Sequence, residues 1–377
     1  MPDTLSVVLF LPPTGPSASE VWMGRARRAA CQDTVARLRA TRRADPIIIL
    51  AAEEQDRAAL AGDGVEVVPG SRAELPFHFG RALASLAASL GSGALGYFGG
   101  ASAPLISTER LAEVLGQACE AGRRPTAWVN NPLSTDWVVL SSTQALPRLA
   151  DSLSTDNPLG WVLEHDAGYD LVALPVLAET QADIDTPADA LLLARHPGLG
   201  PALRSFIEQH ASGDLLGKVD AFRRLIGTPA STLAIIGRSS SWIWQAIERR
   251  KQIWVRLFVE ERGMLANGRA ERGEVRSLIG ELLDDWGPAR FVERLSGMAD
   301  GVLWDNRVWM AHRGLWPSAA DRFASDLGWA EEVRAPELAS LTGALRGASI
   351  PILTGGHSLV SGSLMALLES LEQPAGN

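Results

Sequence analysis

The chain has 377 residues, of which 46% are hydrophobic and 21% charged, and its formal net charge at pH 7 is −9. A chain of this length exceeds what one hydrophobic core usually covers, so we predict two domains. The excess of acidic over basic residues argues against nucleic acid or an anionic membrane as the main partner.

Two further features indicate the compartment. The two cysteines, Cys31 and Cys119, are too few for a disulfide framework, which is typical of a reducing cytoplasm. No apolar run approaches the roughly 18 residues of a membrane span, and the first residues lack the basic segment of a signal peptide. We therefore expect a cytoplasmic protein, and its richness in alanine, arginine and glycine is typical of high-GC bacteria.

The first half of the chain alternates short apolar runs with helical patterns. The apolar runs show little polar alternation, which favours strands of a parallel sheet covered on both faces, and hence an α/β fold. The predicted strands are 6–13, 46–52, 65–70, 94–100, 125–131, 137–142 and 169–176, and the predicted helices include 25–40, 81–90, 186–194 and 202–225.

A turn-rich stretch at 227–232 marks the predicted domain boundary. After it the pattern of strand, tight turn and helix restarts, with strands predicted from 232, at 252–261, at 300–311 and at 349–356. We therefore predict a first domain over 1–226 with a Rossmann-like, mostly parallel sheet. A second, smaller Rossmann-like α/β domain is predicted over 227–377.

Four segments of the first domain resemble a known superfamily. They are a strand, loop and helix at 7–40, a strand and glycine turn at 96–107, a strand, turn and strand at 128–142, and DIDTPAD within 181–193. In this order they resemble the GT-A-like nucleotidyltransferases, which have the nucleotide-diphospho-sugar transferase fold. Within that superfamily the segments resemble the molybdenum-cofactor and phospholactate guanylyltransferases and the small glycosyltransferase-like proteins beside them. The resemblance covers about half the chain.

The resemblance implies a metal-dependent transferase. Its members hold Mg²⁺ or Mn²⁺ with carboxylates, and the DIDTPAD segment implies Asp183 and Asp185 as metal ligands, with Asp185 also catalytic. Magnesium binds in this way through one or two carboxylates plus substrate phosphates. A second interpretation is structural, because Asp185 with Thr186 can form the N-cap of a helix that begins with Pro187.

The sequence also departs from the family pattern. Ala101 or Ser102 stands where the family has a metal-binding aspartate, and Asp136 is either a replacement carboxylate or part of a turn. The first loop contains three prolines, which remove N–H donors from a phosphate cradle. We predict that Arg25, Arg27 and Ser102 contact a phosphate or nucleotide, although the arginines can equally form a solvated helix face. Arg28 belongs to the same group.

The second domain contains two similar strand-to-helix turns. The first includes Gly237, Arg238 and Ser239, and the second includes Gly355, Gly356, His357 and Ser358. Turns of this kind at the ends of parallel strands converge on one sheet edge and can bind a phosphate, with His357 as a general base or phosphate contact. A glycine turn with a serine cap is also an ordinary structural element, as is a lone histidine such as His312.

A dense charged segment at 259–277 is either an arginine-lined lid or a self-paired surface loop. Together these features predict a nucleotidyltransferase- or glycosyltransferase-like protein that acts on a nucleotide or a phosphorylated small molecule and has a degenerate first metal-binding motif. Two alternatives remain open. In one, an inactive GT-A-like scaffold carries a C-terminal domain that binds a phosphorylated ligand or has a separate activity. In the other, the chain is a non-catalytic partner subunit. A homo-oligomer is compatible with either.

Overall fold

The computed structural model describes residues 4–70, 77–91, 93–250, 252–265 and 268–372. The chain forms two compact units, which do not follow a single cut in the sequence. Unit 1 contains Met1–Thr14, Arg27–Asp183 and Gly200–Leu203, and unit 2 contains Gly15–Ala26, Ile184–Leu199 and Arg204–Asn377. No helix in the described ranges is long and apolar enough to cross a membrane.

Unit 1 contains a seven-stranded sheet in the order β3-β2-β1-β4-β6-β5-β7. Neighbouring strands are parallel except where β6 pairs with β4 and β5. The mostly parallel sheet confirms the predicted α/β class. The strands are β1 (Leu5–Leu11), β2 (Ala44–Ala51), β3 (Val65–Pro69), β4 (Leu95–Gly99), β5 (Thr126–Val129), β6 (Trp137–Leu140) and β7 (Asp170–Ala173).

Strand β1 shows why these runs are continuously apolar. Val7, Leu9 and Leu11 pack into one core, while Val8 and Phe10 pack into a second core on the opposite face of the sheet. Successive side chains of a strand point to opposite faces, so a strand covered on both sides must be apolar throughout. The first helices are α1 (Ala18–Thr41), α2 (Glu54–Leu60), α3 (Phe79–Leu90), α4 (Thr108–Glu120), α5 (Leu146–Leu149), α6 (Leu159–His165) and α7 (Ala178–Gln181).

Unit 2 contains a parallel four-stranded sheet in the order β11-β10-β8-β9. Its strands are β8 (Thr232–Gly237), β9 (Trp254–Val259), β10 (Gly301–Asp305) and β11 (Ile352–Gly355). The remaining helices are α8 (Pro187–Leu193), α9 (Pro201–His210), α10 (Gly213–Gly227), α11 (Ser241–Arg250), α12 (Leu278–Ser296), α13 (Arg307–His312), α14 (Ala319–Asp326), α15 (Pro336–Arg346) and α16 (Gly362–Glu369). A second Rossmann-like sheet was predicted and is present.

Two predicted elements are wrong in their extent. The strand predicted over 300–311 ends at Asp305, where the chain turns and continues as α13. The helix predicted over 202–225 is two helices, because Ser212 starts α10 by accepting a hydrogen bond from the backbone N–H of Leu215. The compact units also divide elsewhere than at 226/227, since residues 184–199 and 204–226 belong to unit 2.

Candidate functional site

The order of strands in unit 2 creates one switch point. From β8 the chain places β9 on one side, and it places β10 and then β11 on the other. In open α/β sheets, ligands bind outside the carboxyl ends of the strands at such a point. Arg238 follows β8 there, and Asp305 is the last residue of β10.

Arg238 and Asp305 form a buried, two-pronged ion pair. The Nε and Nη2 atoms of Arg238 lie 2.6 and 3.2 Å from the two carboxylate oxygens of Asp305, which is fully buried. Burial acts to raise the pKa of Asp305, but attraction to Arg238 and its hydrogen bonds brings that pKa below its usual value. Gly237 permits this approach, because it has φ +119° and a Cβ atom there would lie 2.5 Å from the Cβ atom of Asp305.

Glu260 follows β9 and is held by the start of α12. Its backbone N–H donates to the carbonyl of Gly237 over 2.9 Å, and the Ser277 hydroxyl donates to its Oε1 atom. Ser277 in turn caps α12 by accepting from the N–H of Gly280 at 2.9 Å. Burial, with repulsion from Asp305, raises the pKa of Glu260 to about 7, against the lowering effect of Ser277. Its carboxyl group is therefore partly protonated near neutral pH.

His357 follows β11 and is neutral at pH 7. Burial is the main reason that its pKa is lowered to about 4, and repulsion from Arg238 and Arg262 lowers it further. The charges of Asp305 and Asp185 act in the opposite direction with smaller effect.

Each strand of the second sheet is followed, within three residues, by a buried polar atom without a hydrogen-bond partner among the described residues. These atoms are Ser240 Oγ after β8, Glu260 Oε2 after β9, Asn306 Nδ2 after β10 and His357 Nδ1 after β11. Native proteins leave few buried polar groups unsatisfied, so four at one sheet edge call for water or a ligand as the missing partner. We call this set, together with Arg238 and Asp305, the switch-point cluster.

The structure brings the two predicted turns together. The Ser239 hydroxyl, itself buried, donates to the carbonyl of Val360 over 3.0 Å, and the Ser358 hydroxyl lies 3.2 Å from that of Ser363. Both serine hydroxyls therefore have partners within the protein. Among the predicted turn residues, Arg238 and His357 are the ones whose side chains belong to the switch-point cluster.

The glycines of the second turn permit close packing against the start of α8. A Cβ atom at Gly355 would lie 3.0 Å from Thr186 Oγ1, and one at Gly356 would lie 3.2 Å from Thr186 Cγ2. Thr186 is the N-cap of α8 and Pro187 its first residue, as the structural interpretation of DIDTPAD predicted. Gly355 and Gly356 thus have a packing role in the described structure.

In unit 1, three predicted site residues gather beyond the end of β4. Ser102 forms an isolated β-bridge with Asp183, and its hydroxyl donates to the carbonyl of Gly99 over 2.8 Å. The N–H of Gly99 donates to the carbonyl of Asp136 over 3.0 Å. Asp185 belongs to unit 2, where its charge acts on Arg238 and His357. The two aspartates predicted as a metal pair therefore belong to different compact units.

The surroundings of Tyr97 show that the unit 1 edge is acidic. Its hydroxyl donates to Asp156 over 2.8 Å, and its pKa is raised first by burial and then by the charges of Asp156, Asp136 and Asp183. The described residues contain no group of three or more His, Cys, Asp or Glu side chains that could hold a metal ion. The predicted Mg²⁺ or Mn²⁺ would therefore depend on fewer carboxylates together with substrate phosphates.

After the proline-rich loop, the start of α1 is occupied by a side chain of the protein itself. At the start of α1, the backbone N–H and hydroxyl of Ser17 donate to Glu20 Oε2 over 3.2 and 2.8 Å. A carboxylate thus occupies the position that favours an anion at a helix N-terminus. Arg25 lies exposed along α1, Arg27 is partly buried on it, and Arg28 pairs with Asp56 at 2.5 Å.

The charged segment at 259–277 is largely self-paired, although residues 266 and 267 lie outside the described ranges. Arg269 pairs with Glu261 and Glu274, and Arg272 lies 2.9 Å from Glu274. His312 accepts from the N–H of Ser277 over 3.3 Å, beside the cap of α12. The alternative in which the C-terminal domain binds a phosphorylated ligand predicted Ser240 as part of the first turn, 237–241. Asn306 was not predicted, although polar residues directly after successive parallel strands were a signal that could have identified it.

Neither protein-family models nor curated proteins match this chain.

Proposed function

We propose that the chain binds a phosphorylated small molecule at the switch-point cluster, where Glu260 and His357 exchange protons with it. The observation that carries this proposal is the set of four buried polar atoms, one after each parallel strand, that lack partners among the described residues. Hydroxyl, amide, carboxyl and imidazole groups together suit the many polar atoms of a sugar phosphate or nucleotide.

The arginine charges near His357 favour binding of an anionic group there. The repulsion from Arg238 and Arg262 that lowers the histidine pKa is the same potential that attracts a phosphate. Ser240 also directly precedes α11, whose first backbone N–H groups lack partners within the helix. An incoming phosphate would raise the pKa of His357 and of Glu260, so binding takes up protons near neutral pH.

The test begins with thermal-shift measurements on nucleoside triphosphates, nucleotide sugars and sugar phosphates, each with Mg²⁺ and with EDTA. A ligand of the native state raises the melting temperature by mass action. For the compound with the largest shift, calorimetry in buffers of different ionisation enthalpy then measures proton uptake. The uptake by Glu260 should be largest just above pH 7, between its pKa of about 7 in the free protein and its raised pKa in the complex.

Two variants locate the binding. Ser240→Ala removes a hydroxyl that has no partner in the described protein, so stability should hold while affinity falls roughly tenfold. Glu260→Gln should abolish most of the proton uptake. Ser296→Ala is the matched control in the same unit, since its hydroxyl donates only to the helix carbonyl of Val292. The proposal fails if no compound shifts the melting temperature, or if Ser240→Ala and Ser296→Ala bind alike.

A second candidate is nucleotidyl transfer at the edge of the first sheet. The bridge between Ser102 and Asp183, with Asp136 next to Gly99, favours it. Asp183 and Asp136 would hold Mg²⁺, which supplies charge neutralisation for phosphates in such reactions. Release of pyrophosphate from a nucleoside triphosphate, lost in Asp183→Asn and kept in Glu260→Gln, would support this candidate. The reverse pattern would assign activity to the switch-point cluster.

A further inference from the structure

Unit 1 has a polar cavity of about 440 Å³ at the sheet edge opposite to the acidic one. It lies where β5 and β7 begin and the antiparallel β6 ends, and its wall includes Arg123, Arg148, Ser141, Gln144 and Tyr169. Small-molecule sites typically enclose about 300 to 1,000 Å³. The cavity is therefore large enough for a small metabolite.

The charge of this cavity is opposite to that of the whole chain. Two arginines line it, and no aspartate or glutamate is among its described lining residues, although the net charge of the protein is −9. Arg148 is fixed at the wall, because its Nη2 atom donates to the carbonyl of Ala167 over 3.2 Å. The neighbouring Arg124 is not in the lining and lies 3.3 Å from Asp170. Arg123 and Arg148 are therefore the positively charged residues of the described wall.

The rest of the wall supplies hydrogen-bonding groups without adding negative charge. Ser141 Oγ accepts from the N–H of Thr126 over 2.8 Å, which leaves its hydroxyl hydrogen to donate. The Tyr169 hydroxyl donates to the carbonyl of Ser142 over 2.7 Å, and burial raises the pKa of this phenol, so it stays neutral. Ser141 and the Gln144 amide thus add donors beside the two guanidinium groups.

We propose that this cavity is a second ligand site, which binds the dianionic phosphate group of a small phosphate ester. Guanidinium groups match phosphate oxygens in geometry. Two guanidinium charges are neutralised by a phosphate dianion, whereas a carboxylate carries only one negative charge. The inference does not depend on the switch-point cluster, which lies in unit 2.

Tyr169 makes the test specific for this site, because the chain has only two tyrosines, Tyr97 and Tyr169. Protein labelled with 3-fluorotyrosine gives two ¹⁹F resonances, which Tyr97→Phe assigns. Titration with inorganic phosphate and with ribose 5-phosphate, at constant ionic strength, should shift the Tyr169 resonance saturably. Acetate should give a much weaker response. Equal affinity for acetate and phosphate would overturn the proposed preference for phosphate.

Variants of exposed arginines provide the decisive comparison. Arg123→Gln and Arg148→Gln should each weaken phosphate binding at least roughly tenfold, the loss expected for a charged hydrogen bond. Arg124→Gln removes the same charge one residue away and should leave binding unchanged. Equal weakening by all three variants would indicate diffuse attraction and overturn the site, as would the absence of a saturable Tyr169 shift. Ser240→Ala should not alter the Tyr169 response, which separates this site from the switch-point cluster.

Discussion

Asp189, the last residue of DIDTPAD, offers a sharp test of how unit 2 is built. Its carboxyl group is fully buried and accepts hydrogen bonds from the N–H and hydroxyl of Thr186 over 2.7 and 2.8 Å, and from the hydroxyl of Ser363 over 3.1 Å. Burial, with repulsion from Asp185, nevertheless raises the pKa of Asp189 to about 8. Asp189→Asn keeps the shape and most of these hydrogen bonds while it removes the ionisable group.

The size of the effect on the free energy of unfolding follows from the linkage between protonation and folding. A carboxyl group whose folded pKa is raised is protonated in the folded state and ionised in the unfolded state over the interval between its two pKa values, here from 3.8 to about 8. Its contribution to stability is complete below the lower value and is lost as the pH rises through the higher one, by about 1.4 kcal/mol per pH unit. Between pH 6 and 8 the wild type should therefore lose about 2 kcal/mol relative to Asp189→Asn.

Urea titrations at several pH values measure this difference. Tryptophan fluorescence is a suitable signal for unit 2, because eight of the twelve tryptophans lie after Thr228, at 242, 244, 254, 286, 304, 309, 316 and 329. Asp285→Asn is the control, since Asp285 is exposed on α12 and its replacement should leave the pH dependence nearly unchanged. If the free-energy difference between the wild type and Asp189→Asn stayed constant from pH 6 to 8, Asp189 would be ionised in the folded protein and the reasoning would be refuted.

Two further substitutions test the frame of the switch-point cluster. Gly237→Ala should destabilise unit 2 by more than about 2 kcal/mol, because the new methyl group would collide with Asp305 and φ at this residue is positive. Gly217→Ala in α10 is the control. A methyl group there meets open space, so this change should be neutral or stabilising by up to about 1 kcal/mol. Arg307→Ala should cost about 3–5 kcal/mol in urea titrations, because it leaves the carboxylate of Asp326 buried without the guanidinium that now lies 2.5 Å away. A cost below about 1 kcal/mol for either Gly237→Ala or Arg307→Ala would contradict the packing described.

DIDTPAD shows how one motif can hold residues with different tasks. Asp183 forms a bridge with Ser102 in unit 1, Asp185 is exposed in unit 2, and Asp189 is buried as part of the cap of α8. The segment passes from one compact unit to the other between residues 183 and 184. A pattern of carboxylates therefore does not by itself establish a common metal site.

The sequence by itself determined the α/β class, a mostly parallel first sheet, a second parallel sheet and the start of α8. These follow from local physics, since strands covered on both faces must be apolar throughout and a threonine before a proline favours a helix start. Only the tertiary structure decided which polar residues meet. Glu260, Asn306 and His357 are far apart in the chain, and they share one edge because the strands take the order β11-β10-β8-β9. That order depends on the packing of whole helices and strands, which no local periodicity encodes.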